Sequence, residues 1–325
     1  MRAVVVERYG DPSMLRLVEI DDPQPAADEV LVRVRLTNVN FRDVQERRGS
    51  YAARTRLPLV PGLEASGTVA AVGEAVTGFE IGQAVVAFAA RGSYAELMPA
   101  KASLTYALPD GVDDEQVAGL TAAVTAENVL SLPGHGAAGK TVAVQSAAGG
   151  VGQLALQLAR AHGAARVIGI VGDAAKVAAA RAAGADVVVV RDGDEPRRLR
   201  ELTGGIGVDL VLNSVGGETV ARDLSATAEF GAVVVFGQSC GAPGRVETDA
   251  LHRGSRALLG YSSGHLRQRH PERLRATVER VLRRIADGEL RIAVGARFAL
   301  ADAARAHALL ERGTSTGKVL LEVAA

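Results

Sequence analysis

The chain has 325 residues, which suggests about two domains at roughly 150 residues each. Its 37 Lys and Arg residues balance its 37 Asp and Glu residues, so it lacks the basic excess typical of proteins that bind nucleic acids or anionic membranes. The single cysteine, Cys240, excludes an intrachain disulfide framework and a four-cysteine zinc lobe. There is no apolar signal-peptide core at the N-terminus, and the longest nearly apolar stretch, 117–126, is too short to cross a bilayer. These features predict a cytoplasmic protein without a membrane partner.

The first third of the chain has the pattern of short strands joined by glycine turns. Residues 30–36 alternate apolar and charged side chains, as a half-buried strand does, and glycines separate further short apolar runs. This pattern predicts a small barrel or sandwich. Residues 113–132 then have a helical composition.

From residue 141 onward, apolar runs alternate with helical stretches. The runs are apolar at both alternating positions, which strands of a parallel sheet require because helices cover both of its faces. The intervals are long enough for right-handed helical crossovers. The predicted strands lie at 141–147, 166–171, 186–190, 209–215, 232–237 and 257–262. Together they predict a doubly wound α/β domain that binds a nucleotide.

The last part of the chain begins with a long amphipathic helix after Pro271 that is predicted to end near Gly288. Its arginine-rich face is interpreted as an ordinary solvated surface. The tail then has the pattern strand, helix, strand, which predicts a return to the first domain. We therefore predict a discontinuous catalytic domain, 1–122 with 265–325, interrupted by a nucleotide-binding domain at 123–264.

The strongest local signal is QSAAGGVG at 145–152, called the glycine turn below, which lies between a predicted strand and a predicted helix. Gly149 lets the backbone approach a pyrophosphate, Gly152 permits tight packing of helix on strand, and the helix N-terminus supplies free N–H groups. Ala147 stands where the first glycine of the fingerprint usually lies. The strand, turn, helix and second strand nevertheless fall within about 30 residues, as the fingerprint requires. The predicted dinucleotide cradle consists of Ala148, Gly149, Gly150, Val151 and Gly152.

The end of the second strand of this domain bears on the choice of dinucleotide. NAD sites usually place a carboxylate there for the ribose 2′-hydroxyl, whereas this chain has Val171 followed by Gly172. Lys176 can pair with a 2′-phosphate. Asp173 would repel that phosphate if it faced inward, or it would cap the following helix. We favour NADP(H).

Several short segments, in matching order, carry a family resemblance: RAVV at 2–5, EVLV at 29–32, NVNFRD at 38–43, PGLEASG at 61–67, VTGFEIG at 76–82, SYAE at 93–96, the glycine turn, GAD at 184–186 and GKV at 317–319. Over essentially its whole length the chain resembles the zinc-free quinone oxidoreductase (zeta-crystallin-like) branch of the medium-chain dehydrogenase/reductase superfamily. The resemblance implies a Rossmann-type doubly wound parallel sheet inserted in a GroES-like β-rich catalytic domain. It also implies a homodimer, and a symmetric pairing through the edge strand at 257–262 would continue the sheet.

The residues at the zinc positions of related enzymes bear on the reaction. Zinc-dependent relatives carry Cys and His ligands in the segment matching 40–44 and a His before Glu64, where this chain has Asn40 and Leu63. Its six histidines show no ligand spacing, and we predict no metal site. Without a Lewis acid to ionise an alcohol, the chemistry favours hydride transfer from NADPH to a conjugated acceptor, a quinone or an enone.

The resemblance assigns catalytic candidates. Asn40 and Thr125 match residues near the nicotinamide. The Asn40 amide can donate to cofactor or substrate, or it can fix its own turn. Gln45 replaces a family tyrosine of the pocket, so Tyr51 is the remaining candidate proton donor.

The resemblance also assigns residues that bind the cofactor. Gly172, Lys176 and Lys318 match positions around the adenosine 2′-phosphate, although Lys318 is also readable as a surface lysine at a strand edge. Val190 replaces a family tyrosine, and the neighbouring Arg191 can compensate because a guanidinium suits phosphate. Further candidates, placed at or near strand ends of the nucleotide domain, are Asp173, Asn213, Phe236 and Gly237.

Two alternative functions stay open. Residues 40–44, NFRDV, resemble the enoyl reductase modules of polyketide synthases, which predicts an enoyl-thioester reductase. In that segment Arg42 and Asp43 are expected to form a structural ion pair. The other alternative, from a different class, is an NADPH-binding protein with little turnover and a structural or sensing role.

Overall fold

The computed structural model describes residues 1–51, 53 and 55–323, and the chain divides into two compact units. One unit combines Met1–Thr121 with His270–Ala325, and the other is Ala122–Arg269. The elements of the first stretch are β1 (Arg2–Val6), β2 (Leu15–Glu19), β3 (Glu29–Val39), α1 (Phe41–Arg47), β4 (Glu64–Val72), β5 (Ala84–Phe88), β6 (Leu97–Lys101), β7 (Thr105–Ala107), α2 (Asp114–Val117) and α3 (Leu120–Ser131), which runs into the second unit.

The elements of the second unit follow in chain order. They are β8 (Thr141–Gln145), α4 (Gly150–Ala161), β9 (Arg166–Val171), α5 (Val177–Ala182), β10 (Val187–Val190), α6 (Glu195–Leu202), β11 (Val208–Asn213), α7 (Thr219–Ala226), β12 (Thr227–Val235), α8 (Thr248–His252), β13 (Ala257–Gly260) and α9 (Ser263–Arg269). The chain then re-enters the first unit with α10 (Pro271–Ala286), β14 (Val294–Ala299), α11 (Ala303–Glu311) and β15 (Lys318–Glu322).

The second unit is built on a parallel sheet of six strands in the order β10-β9-β8-β11-β12-β13. This confirms the predicted doubly wound sheet, and the strand order reverses between β8 and β11, where ligands bind in such folds. Its central strands are buried on both faces: Val142, Ala143 and Val144 are inaccessible to solvent. The uninterrupted apolar runs of the sequence follow from this burial.

The first unit is built on a mainly antiparallel sheet with the path β14-β15-β3-β4-β5-β7, and β6 also pairs with β3. β15 lies antiparallel to β3, so the tail of the chain joins strands from its first third. That pairing brings Lys318, at the start of β15, to the end of β3.

The long helix α10 confirms the prediction made from its apolar spacing. It begins at Pro271, and Gly288, two residues past its last turn, has a positive φ of 72°. The apolar face is buried and consists of Leu274, Val278, Val281, Leu282 and Ile285. On the other face, Arg275 and Arg284 pair with Glu279 and Glu289. Within the described residues, no helix is both long enough and apolar enough to cross a membrane.

Candidate functional site

The glycine turn connects β8 to α4 with backbone packed too closely for larger residues. A Cβ atom at Gly152 would lie 2.3 Å from the Ser146 carbonyl oxygen and 2.8 Å from the Ala147 Cα. At Gly149 it would lie 3.2 Å from the same oxygen. Gly149 begins the helix without a side-chain cap. The turn fits a pyrophosphate held by backbone N–H groups.

A pair of cations lies near the carboxyl ends of β9 and β10. Arg191 follows β10, and its backbone N–H donates to the Val171 carbonyl over 2.7 Å. Its Nη1 is 3.7 Å from the position that a Cβ at Gly172 would take. Burial lowers the pKa of Lys176; the carboxylate of Asp173 opposes this shift and the nearby charge of Arg191 adds to it. Two cations that repel each other in a partly buried place form a favourable site for a phosphate.

Asp173 takes the capping role that was one of its two predicted alternatives. Its Oδ1 accepts from the backbone N–H of Ala175 over 2.8 Å and caps a short helical turn, Ala174–Lys176. This bond holds the carboxylate at the N-terminal end of that turn, and a contact of Asp173 with the cofactor stays a prediction.

Arg191 is held in place by a buried chain of hydrogen bonds. Its Nη2 donates to Oε1 of Gln145 over 2.9 Å, and Nε2 of Gln145 donates to Oδ1 of Asp223 over 2.9 Å. The other oxygen of Asp223 accepts from Nδ2 of Asn213 over 2.5 Å. Burial raises the pKa of Asp223 to about 6, while the donors on Gln145 and Asn213 oppose that shift. The chain of bonds fixes the orientation of the guanidinium beside Gly172.

Asn213 holds the loop after β11 with its side chain, and its contact with the cofactor stays a prediction. Its Nδ2 donates to Thr219 as well as to Asp223, and its Oδ1 accepts from the backbone N–H groups of Val215 and Gly216, both over 2.9 Å. A side-chain amide has two donors and two acceptor positions. All four are used within the protein, so a hydrogen bond from this side chain to a ligand would have to replace one of them.

Three candidates of the second unit remain: Phe236, Gly237 and Thr125. The Phe236 N–H donates to the Asn213 carbonyl over 3.0 Å, directly after β12. A Cβ at Gly237 would lie 2.9 Å from the Ser214 carbonyl oxygen, which explains the glycine there. Thr125 is buried in α3. Contacts of these three residues with a cofactor stay predictions.

In the first unit, Asn40 joins β3 to α1 and leaves one half of its amide without a protein partner. Its backbone N–H donates to Oδ2 of Asp43 over 2.8 Å, and the Asp43 N–H donates back to the Asn40 carbonyl over 2.9 Å. The side-chain oxygen of Asn40 accepts from Nζ of Lys318 over 2.7 Å. Its Nδ2 is buried and has no hydrogen-bond partner among the described residues. Asn40 and Asp43 thus form a capping box at the start of α1, and both predicted roles of the Asn40 amide stay predictions.

Lys318 is only 5% exposed, so its interpretation as a surface lysine is wrong. Burial lowers the pKa of its ammonium group, and the carboxylates of Glu64 and Asp43 oppose that shift. The predicted contact with the adenosine 2′-phosphate stays a prediction. The neighbour observed in the structure is the Asn40 amide.

Behind Asn40 lies a buried chain of polar groups that the sequence did not indicate. The Tyr94 hydroxyl donates to Oδ2 of Asp43 over 3.1 Å, and His307 Nε2 lies 3.1 Å from the same hydroxyl. When Asp43 is ionised it accepts the single phenolic proton, and Nε2 of His307 is then the donor in the second bond. Burial raises the pKa of Asp43 to about 7 and lowers that of His307 to about 3.

The prediction of an ion pair between Arg42 and Asp43 is wrong. Arg42 pairs with Glu46, one helical turn further on, over 2.6 Å, while the Asp43 side chain is fully buried. Because residues 41–47 form a helix, positions four apart share a face and adjacent positions do not.

Tyr51 lies against the same helix. Its hydroxyl donates to Oε1 of Gln45 over 3.1 Å, and the Arg42 guanidinium carbon is 4.1 Å from the centre of its ring. Gln45, which stands where the family has a tyrosine, thus orients Tyr51. The role of Tyr51 as proton donor stays a prediction.

Comparison with known proteins identifies the family. Residues 26–110 match the family described as alcohol dehydrogenase GroES-like domain, and residues 150–283 match the one described as zinc-binding dehydrogenase. A quinone oxidoreductase of Pseudomonas aeruginosa is 36% identical over 96% of this chain and 97% of its own length. The chain belongs to the quinone oxidoreductase branch of the medium-chain dehydrogenase/reductase superfamily. This confirms the family and the GroES-like and Rossmann-type fold predicted from the sequence.

Two further relatives of this quinone oxidoreductase-type chain inform its function. The structure of mycobacterial Rv1454c complexed with NADPH matches it with a TM-score of 0.94 at 37% identity, covering 99% of this chain and all of the other. A phenolphthiocerol/phthiocerol polyketide synthase protein of Mycobacterium tuberculosis is 32% identical over 98% of this chain. The match spans 14% of that much longer protein.

The superfamily includes zinc enzymes, and one of the matched families is named for zinc, so possible metal ligands matter in this quinone oxidoreductase-type chain. In the part of the chain that the structure describes, no group of three or more His, Cys, Asp or Glu side chains is arranged to hold a metal ion. The absence of a metal site stays a prediction.

Proposed function

We propose that this chain is an oxidoreductase that transfers hydride from NADPH to a conjugated acceptor, either a quinone or an enone. The assignment of NADPH as the cofactor rests on one observation: the glycine turn, with Arg191 and Lys176 near the ends of β9 and β10. The NADPH in the structure of mycobacterial Rv1454c supports the same cofactor here. The quinone acceptor is supported by the name of the P. aeruginosa relative.

In this proposal the cofactor is held by groups of the second unit. Backbone N–H groups at the start of α4 bind the pyrophosphate, because Gly149 and Gly152 let it approach. Arg191 and Lys176 bind the 2′-phosphate, and the Gln145 amide keeps the Arg191 guanidinium in place. Reduced nicotinamide supplies the hydride when it is bound.

Asn40 supplies the electrostatic part of the reaction. As hydride reaches a conjugated carbonyl compound, negative charge develops on its oxygen, and a donor fixed in advance stabilises that charge. The buried, unpartnered Nδ2 of Asn40 is such a donor. Of the chain's polar groups, Tyr51 remains the candidate for returning a proton to the reduced acceptor.

The same proposal includes a catalytic domain at 1–122 and 265–325, a nucleotide-binding domain at 123–264, and a homodimer. β13 is the edge strand of the parallel sheet, and Leu258 on it is partly exposed. An apolar edge of this kind is usually paired or covered. Pairing with β13 of a second copy would cover it. Cytoplasmic location stays a prediction.

The test is a steady-state assay of the purified protein with NADPH and 1,4-naphthoquinone, with NADH as the cofactor control. Turnover that depends on NADPH and falls at least tenfold in Asn40→Ala supports the proposal. NADPH binding without turnover of any conjugated acceptor would favour the alternative, a binding protein with a sensing or structural role.

A second candidate is an enoyl-thioester reductase, and one observation favours it. Nearly the whole chain matches a segment of a polyketide synthase at 32% identity. Crotonyl thioesters of coenzyme A, assayed in parallel with naphthoquinone, separate the two. A kcat/KM at least tenfold higher for the thioester than for naphthoquinone would identify the protein as an enoyl-thioester reductase.

A further inference from the structure

We propose that Lys318 is a positioning residue: it determines which way round the Asn40 amide faces, so that Asn40 presents a donor and not an acceptor to a bound ligand. The orientation follows from the protein alone. Its consequence for catalysis rests on the proposed function.

The chemistry of the two side chains sets the orientation. A lysine ammonium group has three donors and no acceptor, whereas an amide has an oxygen at one side and an NH2 group at the other. Only the Asn40 oxygen can bond to Nζ of Lys318, and the two atoms are 2.7 Å apart. A half-turn of the amide would bring two donors together and lose that bond. Nδ2 must therefore point away from Lys318, and no described residue accepts its protons.

The ammonium group has fixed opposite charges nearby. The carboxylates of Glu64 and Asp43 both favour the charged form of Lys318. Glu64 is itself held by two donors, Nδ2 of Asn38 over 2.8 Å and the Thr121 N–H over 2.5 Å. Burial opposes these carboxylates and lowers the pKa of Lys318. In its ammonium form Lys318 has only donors, and a charged donor strengthens the polarity of the amide it contacts.

The stem of Lys318 is closely enclosed, which limits its movement. A Cβ at Gly119 would lie 3.2 Å from Cγ of Lys318 and 3.0 Å from Cγ2 of Ile292. The backbone N–H of Lys318 donates to the Ala293 carbonyl over 2.8 Å. Glycine between α2 and α3 thus leaves room for the lysine stem, and the ammonium group bonds to the Asn40 oxygen.

The first test compares Lys318→Met, which keeps an unbranched stem without a donor, with Lys318→Gln, which has a donor and also an acceptor. Lys101→Met is the matched control, because Lys101 is a lysine of the same unit whose ammonium group pairs with Asp28 at the surface. The readout is the 1H–15N resonance of the Asn40 side-chain amide, assigned by its loss in Asn40→Ala. We expect one set of signals in the wild type and Lys101→Met. In Lys318→Met and Lys318→Gln we expect a second set or exchange broadening. A single unchanged set in both Lys318 variants would overturn the proposal, whatever the protein's activity.

The second test is a double-mutant cycle on kcat/KM with NADPH and 1,4-naphthoquinone. We expect Lys318→Met to lower kcat/KM about tenfold or more in the wild type, the scale for one misplaced donor. In the Asn40→Ala background we expect its effect to shrink below about threefold, because coupled residues are not additive. Equal losses in both backgrounds would mean a merely structural role and would overturn the proposal. Thermal unfolding is measured for each variant, and Lys318→Gln serves in the cycle if Lys318→Met does not fold. Absence of wild-type turnover would refute the proposed function alone, since the amide signals still decide the orientation.

Discussion

Replacing Arg191 with methionine is predicted to remove much of the preference for NADPH over NADH. In the structure, one edge of the guanidinium is bound to Gln145, while Nη1 faces Gly172. That leaves about one charge-assisted hydrogen bond for the 2′-phosphate, worth about 2 kcal/mol. At about 1.4 kcal/mol per factor of ten, the dissociation constant for NADPH should rise about 30-fold. Lys176 remains in the variant, so binding is weakened but not abolished.

The assay is a fluorescence titration of each protein with NADPH and with NADH. The two cofactors differ only in the 2′-phosphate, so the ratio of their dissociation constants cancels any general loosening caused by leaving Gln145 without its donor. Arg198→Met is the matched control, because Arg198 lies on the neighbouring helix and bonds to the Val190 carbonyl over 2.6 Å. Its ratio should stay within a factor of about three of the wild type, because its guanidinium is already bonded to Val190 and Asp192.

Either of two results would refute a contact between Arg191 and the 2′-phosphate. If Arg191→Met weakens NADPH and NADH equally, Arg191 supports the fold of the strand end and does not contact the phosphate. If NADPH binding is unchanged, the phosphate is held elsewhere, and the two cations near β9 and β10 have another purpose.

Two further predictions follow from packing and from pKa values. Gly152→Ala should abolish measurable NADPH binding in the same titration. Its Cβ would lie 2.3 Å from the Ser146 carbonyl oxygen, and the backbone would have to move to relieve this clash. Micromolar binding of NADPH by this variant would contradict the proposed cradle. His307→Gln should reduce the amount by which the free energy of unfolding falls as the pH is lowered. Burial lowers the pKa of His307 from 6.5 to about 3, so between these values the unfolded chain binds one more proton and stability falls as pH falls, by about 1.4 kcal/mol per pH unit. Urea unfolding at pH 6.5 and pH 4.5 measures this, and identical losses in both proteins would exclude a neutral buried His307.

The parallel sheet could be predicted because its determinants are local. Buried strands need apolar residues at every position, and β9 was accordingly predicted with the limits it has, Arg166–Val171. The glycine turn was predictable for the same reason, since strand, turn and helix follow one another directly in the sequence. The helix α1 was not recognised, and the partner of Arg42 was therefore assigned to the adjacent residue instead of one helical turn away.

The contacts that set the candidate site could not be predicted because they join distant parts of the chain. Asn40 and Lys318 are 278 positions apart and meet only because β15 pairs with β3. Tyr94 and His307 form their bond across 213 positions. Nothing in the local sequence of any of these residues distinguishes a buried polar contact from an exposed one. The motif that holds Tyr94 gave the family but no role for the tyrosine.

The buried side-chain amides of Gln145, Asn213 and Asn40 differ in how many of their hydrogen-bonding groups have protein partners. The Gln145 amide lies between a guanidinium and a carboxylate, and Asn213 uses all of its donors and acceptors. Both have protein partners at the oxygen and at the nitrogen of the amide, so they organise other groups. Asn40 is fixed at its oxygen by Lys318, and its Nδ2 has no partner among the described residues. A buried donor without a partner costs about 1–3 kcal/mol, and a bound ligand that accepts from it recovers that cost. Asn40 can therefore contact a ligand through Nδ2, because its oxygen is already bound to Lys318.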